Sequence, residues 1–259
     1  MDDSLLITTE DQIATVVFNR PAARNALNRE IVDRLPRELT RLEQEGAVRA
    51  VVLRGAGGKA FAAGGDLAEM SRMDSARALE NFRHVEAMLT AIETCGLPVI
   101  AMVEGYALGG GCEVAVACDL RVATTRARFG IPIARLGHTL DFINARRILA
   151  LIGPALLKEL LFTDKILDAG EALRLGLINA VLPPEQIELH TYDLARTLTE
   201  KAPLSLKATK RLIRECLHNP SLQGIDDPFL LAAQCFDTED FKEGVRAFLE
   251  KRPPQFVGR

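Results

Sequence analysis

Clustered and alternating β-formers open the chain, with Leu5–Thr9 and Gln12–Asn19 flanking Glu10-Asp11, a pattern that predicts a two-stranded hairpin. The loop Arg20–Asn28 follows, and Asn28 is placed to cap a helix starting at Arg29, which Pro36 is expected to kink or split near Leu35. Val48–Leu53 reads as a third strand after a helix stop at Gly46, and Ser75–Thr94 as a long amphipathic helix. Pro98–Val103 is short, β-branched and bounded by turn formers, which suits a buried strand. From Cys112 the residues Val114, Ala115, Val116 and Ala117 continue as a helix apolar on all sides. Asp119–Thr124 and Ala127–Phe129 predict short strands, and Asp141 an N-cap to a helical pattern through Leu149 and Leu151 that stops and restarts at Gly153-Pro154. Asp168–Leu177 predicts a short helix ended by Gly176, and Ile178–Leu182 a last strand. Beyond Glu185 the strand signals cease. The alternation defines an α/β fold class, with a change of architecture near residue 197 that separates a core of residues 1–197 from a helical region of residues 198–259.

Composition narrows the classes. A chain of 259 residues that is 48% hydrophobic can bury a full core. Its net charge of −3 carries no nucleic-acid footprint, although Lys207, Lys210, Arg211 and Arg214 make one basic helix face, expected to be solvated. The five cysteines at 95, 112, 118, 216 and 235 show no CxxC pair or Cys/His array, so reduced and mostly buried thiols are expected. The N-terminus lacks a signal-peptide pattern and no apolar run reaches transmembrane length, so the expected compartment is the cytoplasm, without a membrane partner.

Two glycine-rich loops carry the candidate chemistry. In Gly105–Asp119, GYALGGGCEVAVACD, a strand runs into Gly109-Gly110-Gly111 and then into an apolar helix whose first turn leaves N–H groups unpaired. Glycine lets backbone approach a ligand, and the positive end of the macrodipole favours an oxyanion there. Glu113 is the one carboxylate in that turn; burial would raise its pKa for proton transfer, or it simply complements the dipole. Residues 55–66, GAGGKAFAAGGD, form the second loop, with Asp66 placed as a helix cap. GYALGGG does not supply a dinucleotide fingerprint, and Gly58-Lys59 lacks the Ser or Thr of a phosphate loop. His138 has no partner fixed by spacing.

The segments KAFAAGGDL (59–67), GYALGGGCEVAVACDLRVAT (105–124) and FGIPIARLG (129–137), with the tail FDTEDFKEGVRAFLEKRPPQF (236–256), resemble the crotonase, or enoyl-CoA hydratase/isomerase, family. The resemblance covers almost the whole chain and implies a spiral of ββα units with a helical C-terminal trimerisation region, giving a homo-trimer or hexamer. It further implies an acyl-CoA substrate whose thioester enolate is held by the amides of Gly65 and Gly110. Coenzyme A would enter as part of the substrate, with no separate cofactor or metal. By the same resemblance Arg24 matches a basic position for the CoA phosphates and Ala63 and Leu67 lie near the adenine. Phe248 and Lys251 match tail positions that reach a neighbouring subunit's CoA.

One position departs from the family pattern. Family hydratases carry a second glutamate after the proline of the FGxPE segment, and here that position is Ile133, which is expected to make one side of the acyl pocket apolar. Asp141 falls eight residues later, where dienoyl-CoA isomerases and a CoA-linked dehalogenase carry a functional aspartate. The leading expectation is therefore an enolate enzyme that shifts a double bond with Glu113 and Asp141 as acid/base pair. A 2-enoyl-CoA hydratase working through Glu113 is the first alternative, and a catalytically inert acyl-CoA-binding protein the second.

Overall fold

The computed structural model describes residues 3–259. Strands β1 (Leu5–Glu10) and β2 (Ile13–Phe18) form an antiparallel hairpin whose turn residues Asp11 and Gln12 have φ of 47° and 64°. Positive φ at both turn residues matches the twist of the strands they join. Helix α1 (Arg29–Glu45), capped by the Asn28 side chain on Ile31 N–H, runs through Pro36 unbroken. The expected split does not occur. Ile31, Val32, Leu35, Leu39 and Leu42 are buried along one face, each contributing about 1.5–3 kcal/mol, which together exceeds the roughly 3 kcal/mol that an interior proline costs.

After α1 the chain repeats one unit. Strand β3 (Ala50–Gly55) is followed by β4 (Ala60–Ala62), the short α2 (Leu67–Met70) and α3 (Ser75–Thr94). Strand β5 (Val99–Val103) is followed by β6 (Tyr106–Leu108) and α4 (Gly110–Ala117). Strand β7 (Leu120–Thr124) is followed by β8 (Arg128–Gly130) and α5 (Phe142–Thr163), which bends at Gly153, where φ is 75° and ψ 168°. Then come β9 (Ile166–Asp168), α6 (Ala169–Arg174) and β10 (Ala180–Leu182).

The first strand of each unit joins a six-stranded sheet in the order β1-β2-β3-β5-β7-β10, and the second joins a four-stranded sheet in the order β4-β6-β8-β9. A ββα spiral results, with the main apolar core drawn from both sheets and from α1, α3, α4 and α5. The outer face of the large sheet is covered by α7 (Ile187–Thr199), where Ile187 and Ala195 pack with Val52, Ile100 and Met102.

Beyond it lie α8 (Pro203–His218), α9 (Leu230–Gln234) and α10 (Glu239–Glu250). On α8 the basic face is not uniformly solvated. Lys210 reaches inward, donating to Ile92 O, Leu97 O and Asp119 Oδ2, while Lys207 pairs with Glu43. The terminal residues return onto α10, where the buried Asp240 Oδ1 accepts from the N–H groups of Val257 and Gly258. Arg49 ties the same tail to the sheet by donating to Phe256 O.

Candidate active site

Strands β4 and β6 are parallel neighbours, with Ala60 opposite Tyr106 and Ala62 opposite Ala107. Chains leaving the same ends of adjacent parallel strands must run side by side, so the two glycine loops meet. A Cβ built on Gly110 would stand 3.7 Å from Gly65 N. Gly109 sits at φ 51°, ψ −125°, a conformation that L side chains rarely adopt. Gly111 passes so close to β4 that a Cβ would lie 2.0 Å from Ala62 O. In the first turn of α4, Cys112 and Glu113 turn their N–H groups back onto Gly109 O, whereas the N–H of Gly110 has no acceptor among the described residues. Gly65 N–H likewise has none. Two unspent donors thus lie next to each other at a helix N-terminus.

The first loop is held by residues 20–28. Leu27 donates to Gly64 O at 2.8 Å and accepts from Asp66 N at 3.3 Å, and Ala63 N donates to Arg24 O at 3.1 Å. Asn25, fully buried at φ 57°, anchors the turn. Its Oδ1 accepts from Arg20 N, and its Nδ2 donates to Ala56 O and Ala60 O. Asp66 caps α2 through Ala68 N and pairs with Arg20 at 3.1 Å. The sequence reading found Asp66 but not Asn25, whose only local signal is that asparagine tolerates the left-handed region.

Both amides open on a cavity of about 90 Å3 that Glu113, Asp141, Leu27, Met70, Phe82 and Leu140 also line. Glu113 is half-buried and its carboxylate has no hydrogen-bond partner among the described residues. Burial pushes its pKa up to about 7, the Asp141 charge and more weakly Glu86 push the same way, and Arg147 opposes them. Helix α4 itself is secured at its far end by the buried Arg121, which donates to the carbonyls of Ala115, Val116 and Cys118. Asp141 caps α5, Oδ1 accepting from Ile143 N at 2.8 Å and Asn144 N at 2.9 Å. Glu113 and Asp141 are therefore brought to one cavity.

Ile133 does not line that cavity. It follows a turn in which its N–H bonds Ile131 O, and its side chain is buried with Ile131 in the main core. The expected apolar wall is supplied instead by Met70, Met73, Phe82, Val85 and Leu140 from α2, the turn after it, α3 and the loop before α5.

Arg24 is exposed beside the first loop, its guanidinium carbon 5.9 Å from the centre of the Tyr106 ring. Ala63 is bonded to it through the backbone, and Leu67, 59% exposed, opens α2 four residues on. Phe248 and Lys251 lie apart from the cavity at the end of α10, where Phe248 is 84% exposed and Lys251 ends the helix at φ 56°. A single chain does not bring them to the site. Among the described residues no group of three or more His, Cys, Asp or Glu side chains could hold a metal ion, and no helix is long and apolar enough to cross a membrane.

A family model described as enoyl-CoA hydratase/isomerase matches residues 8–259. The chain is 35% identical over 257 residues to crotonyl-CoA hydratase of Syntrophomonas wolfei, with 99% of each chain covered. It is 36% identical over 253 residues to short-chain-enoyl-CoA hydratase of Clostridium acetobutylicum, with 96% of each covered. A solved enoyl-CoA hydratase/carnithine racemase from Magnetospirillum magneticum superposes with a TM-score of 0.94 at 31% identity, over 100% of this chain and 97% of that one. With the double glycine loop, the ββα spiral and near-complete coverage all in agreement, the chain belongs to the crotonase, or enoyl-CoA hydratase/isomerase, family.

Proposed function

We propose that the protein is an acyl-CoA thioester enzyme that forms an enolate and reprotonates it, shifting a double bond. The observation that carries this reading is the pair of unspent amides, Gly65 and Gly110, opening on the same cavity as a carboxylate poised near neutrality. Ionised Glu113 takes a proton from the carbon next to the thioester of a 3-enoyl-CoA. The electron pair moves into the thioester carbonyl, whose oxygen gains charge between the two amides. A proton returned to the distal carbon then completes the conjugated 2-enoyl-CoA. Asp141, on the same cavity, is the second acid/base group. Donors fixed where charge develops need no reorganisation during the reaction, and removing one typically costs about 100- to 1000-fold.

The remaining assignments follow the same reading. Arg24 meets the CoA phosphates, and Ala63 and Leu67 flank the adenine. Phe248 and Lys251 serve a neighbouring copy in a homo-trimer or hexamer in the cytoplasm. Coenzyme A arrives with the substrate and no further cofactor is needed. The cavity of about 90 Å3 is smaller than the roughly 150 Å3 that accepts benzene, which favours short acyl groups.

Hydration of a 2-enoyl-CoA through Glu113 is the second reading, favoured by the names of the relatives from Syntrophomonas wolfei and Clostridium acetobutylicum. Absorbance of the conjugated thioester separates the two, because isomerisation of a 3-enoyl-CoA creates the chromophore and hydration of a 2-enoyl-CoA removes it. Appearance of the chromophore with 3-butenoyl-CoA supports the isomerase. Its loss with crotonyl-CoA, without the first activity, replaces it by the hydratase. Binding with neither change leaves an inert acyl-CoA-binding protein.

A further inference from the structure

An N-cap needs only one carboxylate oxygen, yet both oxygens of Asp141 are held. While Oδ1 caps α5, Oδ2 accepts at 2.7 Å from Nδ2 of Asn144, a side chain in a residue only 2% exposed. The amide of Asn144 cannot turn over. Its Oδ1 accepts at 2.9 Å from Nη1 of Arg147, so reversing it would face a carbonyl toward a carboxylate and an N–H toward a guanidinium.

Arg147 is itself fixed from α3. Its guanidinium meets Glu93 at 2.7 and 2.8 Å and Glu86 at 2.6 and 2.8 Å. Thr90, one turn from Glu86, donates to that glutamate at 2.7 Å. The chain of bonds therefore runs from α3 through Arg147 and Asn144 to the one oxygen of Asp141 that the cap leaves free. Two bidentate ion pairs hold a rigid fork, and a rigid fork holds the amide.

We propose that Asn144 and Arg147 are positioning residues that lock the plane of the Asp141 carboxylate against the cavity it shares with Glu113. The inference rests on the reading that Asp141 takes part in proton transfer. Neither Asn144 nor Arg147 need touch the substrate. Their effect is on the angle at which Asp141 presents its oxygen, and misplacement of a reacting group by about 1 Å can cost up to about 100-fold in rate.

The test uses Asn144→Ala, Asp141→Asn and the double variant, since removing Arg147 would leave two half-buried glutamates, Glu86 and Glu93, without their partner and threaten folding. With 3-butenoyl-CoA, Asn144→Ala is expected to lower kcat by roughly 10- to 100-fold while KM stays within about twofold. Groups that act as one unit are not additive, so the double variant should be no slower than Asp141→Asn alone. Should Asn144→Ala not fold, Asn144→Asp keeps the acceptor for Arg147 and turns the donor facing Asp141 into an acceptor, and kcat should fall in the same way. Wild-type kcat in a folded Asn144 variant, or an additive loss in the double variant, overturns the positioning role while Asp141→Asn remains slow. Wild-type kcat in Asp141→Asn, with Glu113→Gln inactive, instead removes the reading of Asp141 on which the role depends.

Discussion

Glu113, the base of the proposed reaction, also carries a cost in stability. Its pKa of about 7 arises first from burial and then from Asp141, against the pull of Arg147. The other charged groups around the cavity are Arg29, Asp66 and Glu69. In the proposed role of base it must be ionised, so kcat/KM should rise with pH along a limb centred near 7, falling by pH 6 to about a tenth of its plateau. Removing a negative neighbour favours the charged form, so Asp141→Asn should move this limb to lower pH as well as lowering kcat. A pH–rate profile with the limb unmoved would show that the two carboxylates are not coupled.

Stability has the opposite sign. Between the ordinary carboxylate range and pH 7 the folded protein binds a proton that the unfolded chain releases, so stability declines as pH rises through that window. Glu113→Gln should therefore melt above the wild type at pH 8 and close to it near pH 4.5, each kcal/mol appearing as roughly 2–4 °C. Equal melting temperatures at pH 8 would contradict a half-buried, unpaired charge. Glu113 was legible in the sequence because its motif is local. Arg147 and Asn25 were not, since each draws its meaning from partners brought in by folding: 54 and 61 positions away for the ion pairs of Arg147 and 35 for the Asn25–Ala60 bond. Asn144 was missed although its partners Asp141 and Arg147 are only three positions away, because its role depends on Arg147 being fixed from α3.

At the scale of elements, the site exists because β4 and β6 lie side by side and end together. The long helices and the strands of the large sheet were readable from apolar period and caps, with the expected Asn28, Asp66 and Asp141 all observed as N-caps. The strands β4, β6 and β9 were not, because each has only three residues and owes its conformation to the neighbour it bonds. The same register separates two adjacent glycines. Gly110 has ordinary φ, and a Cβ there meets the end of the Leu27 side chain, Cδ1, at 3.3 Å, with the Gly65 N and Gly64 C backbone atoms at 3.7 and 3.9 Å. Gly110→Val should fold yet obstruct the approach of a thioester to both amides, lowering kcat/KM by about 100-fold or more. Gly111→Ala would drive its methyl into the Ala62 carbonyl and should fail to fold. A Gly110→Val enzyme at full rate would move the oxyanion site elsewhere.

For the whole molecule, the question is what covers the C-terminal helices. Phe229, Phe236, Phe248 and Leu249 are each more than 60% exposed, and they lie on or beside α9 and α10, away from both sheets. Large apolar side chains left exposed together at one end of a chain point to an interaction site, and identical chains most often meet with closed symmetry. A trimer would serve two needs at once, covering these side chains and carrying Phe248 and Lys251 to the CoA of the next copy, since one chain leaves them apart from its own cavity. Light scattering at micromolar concentration should then give three or six times the chain mass of 28.3 kDa. Phe248→Asp together with Leu249→Asp places charge in the contact and should shift the mass toward the monomer. If the tail also binds the neighbour's nucleotide, KM for the acyl-CoA should rise more than kcat falls, because the proposed oxyanion amides and Glu113 all belong to one chain. A wild-type monomer would leave Phe248 and Lys251 without a route to any CoA. A trimer whose dissociated variant keeps its KM would confine them to assembly alone.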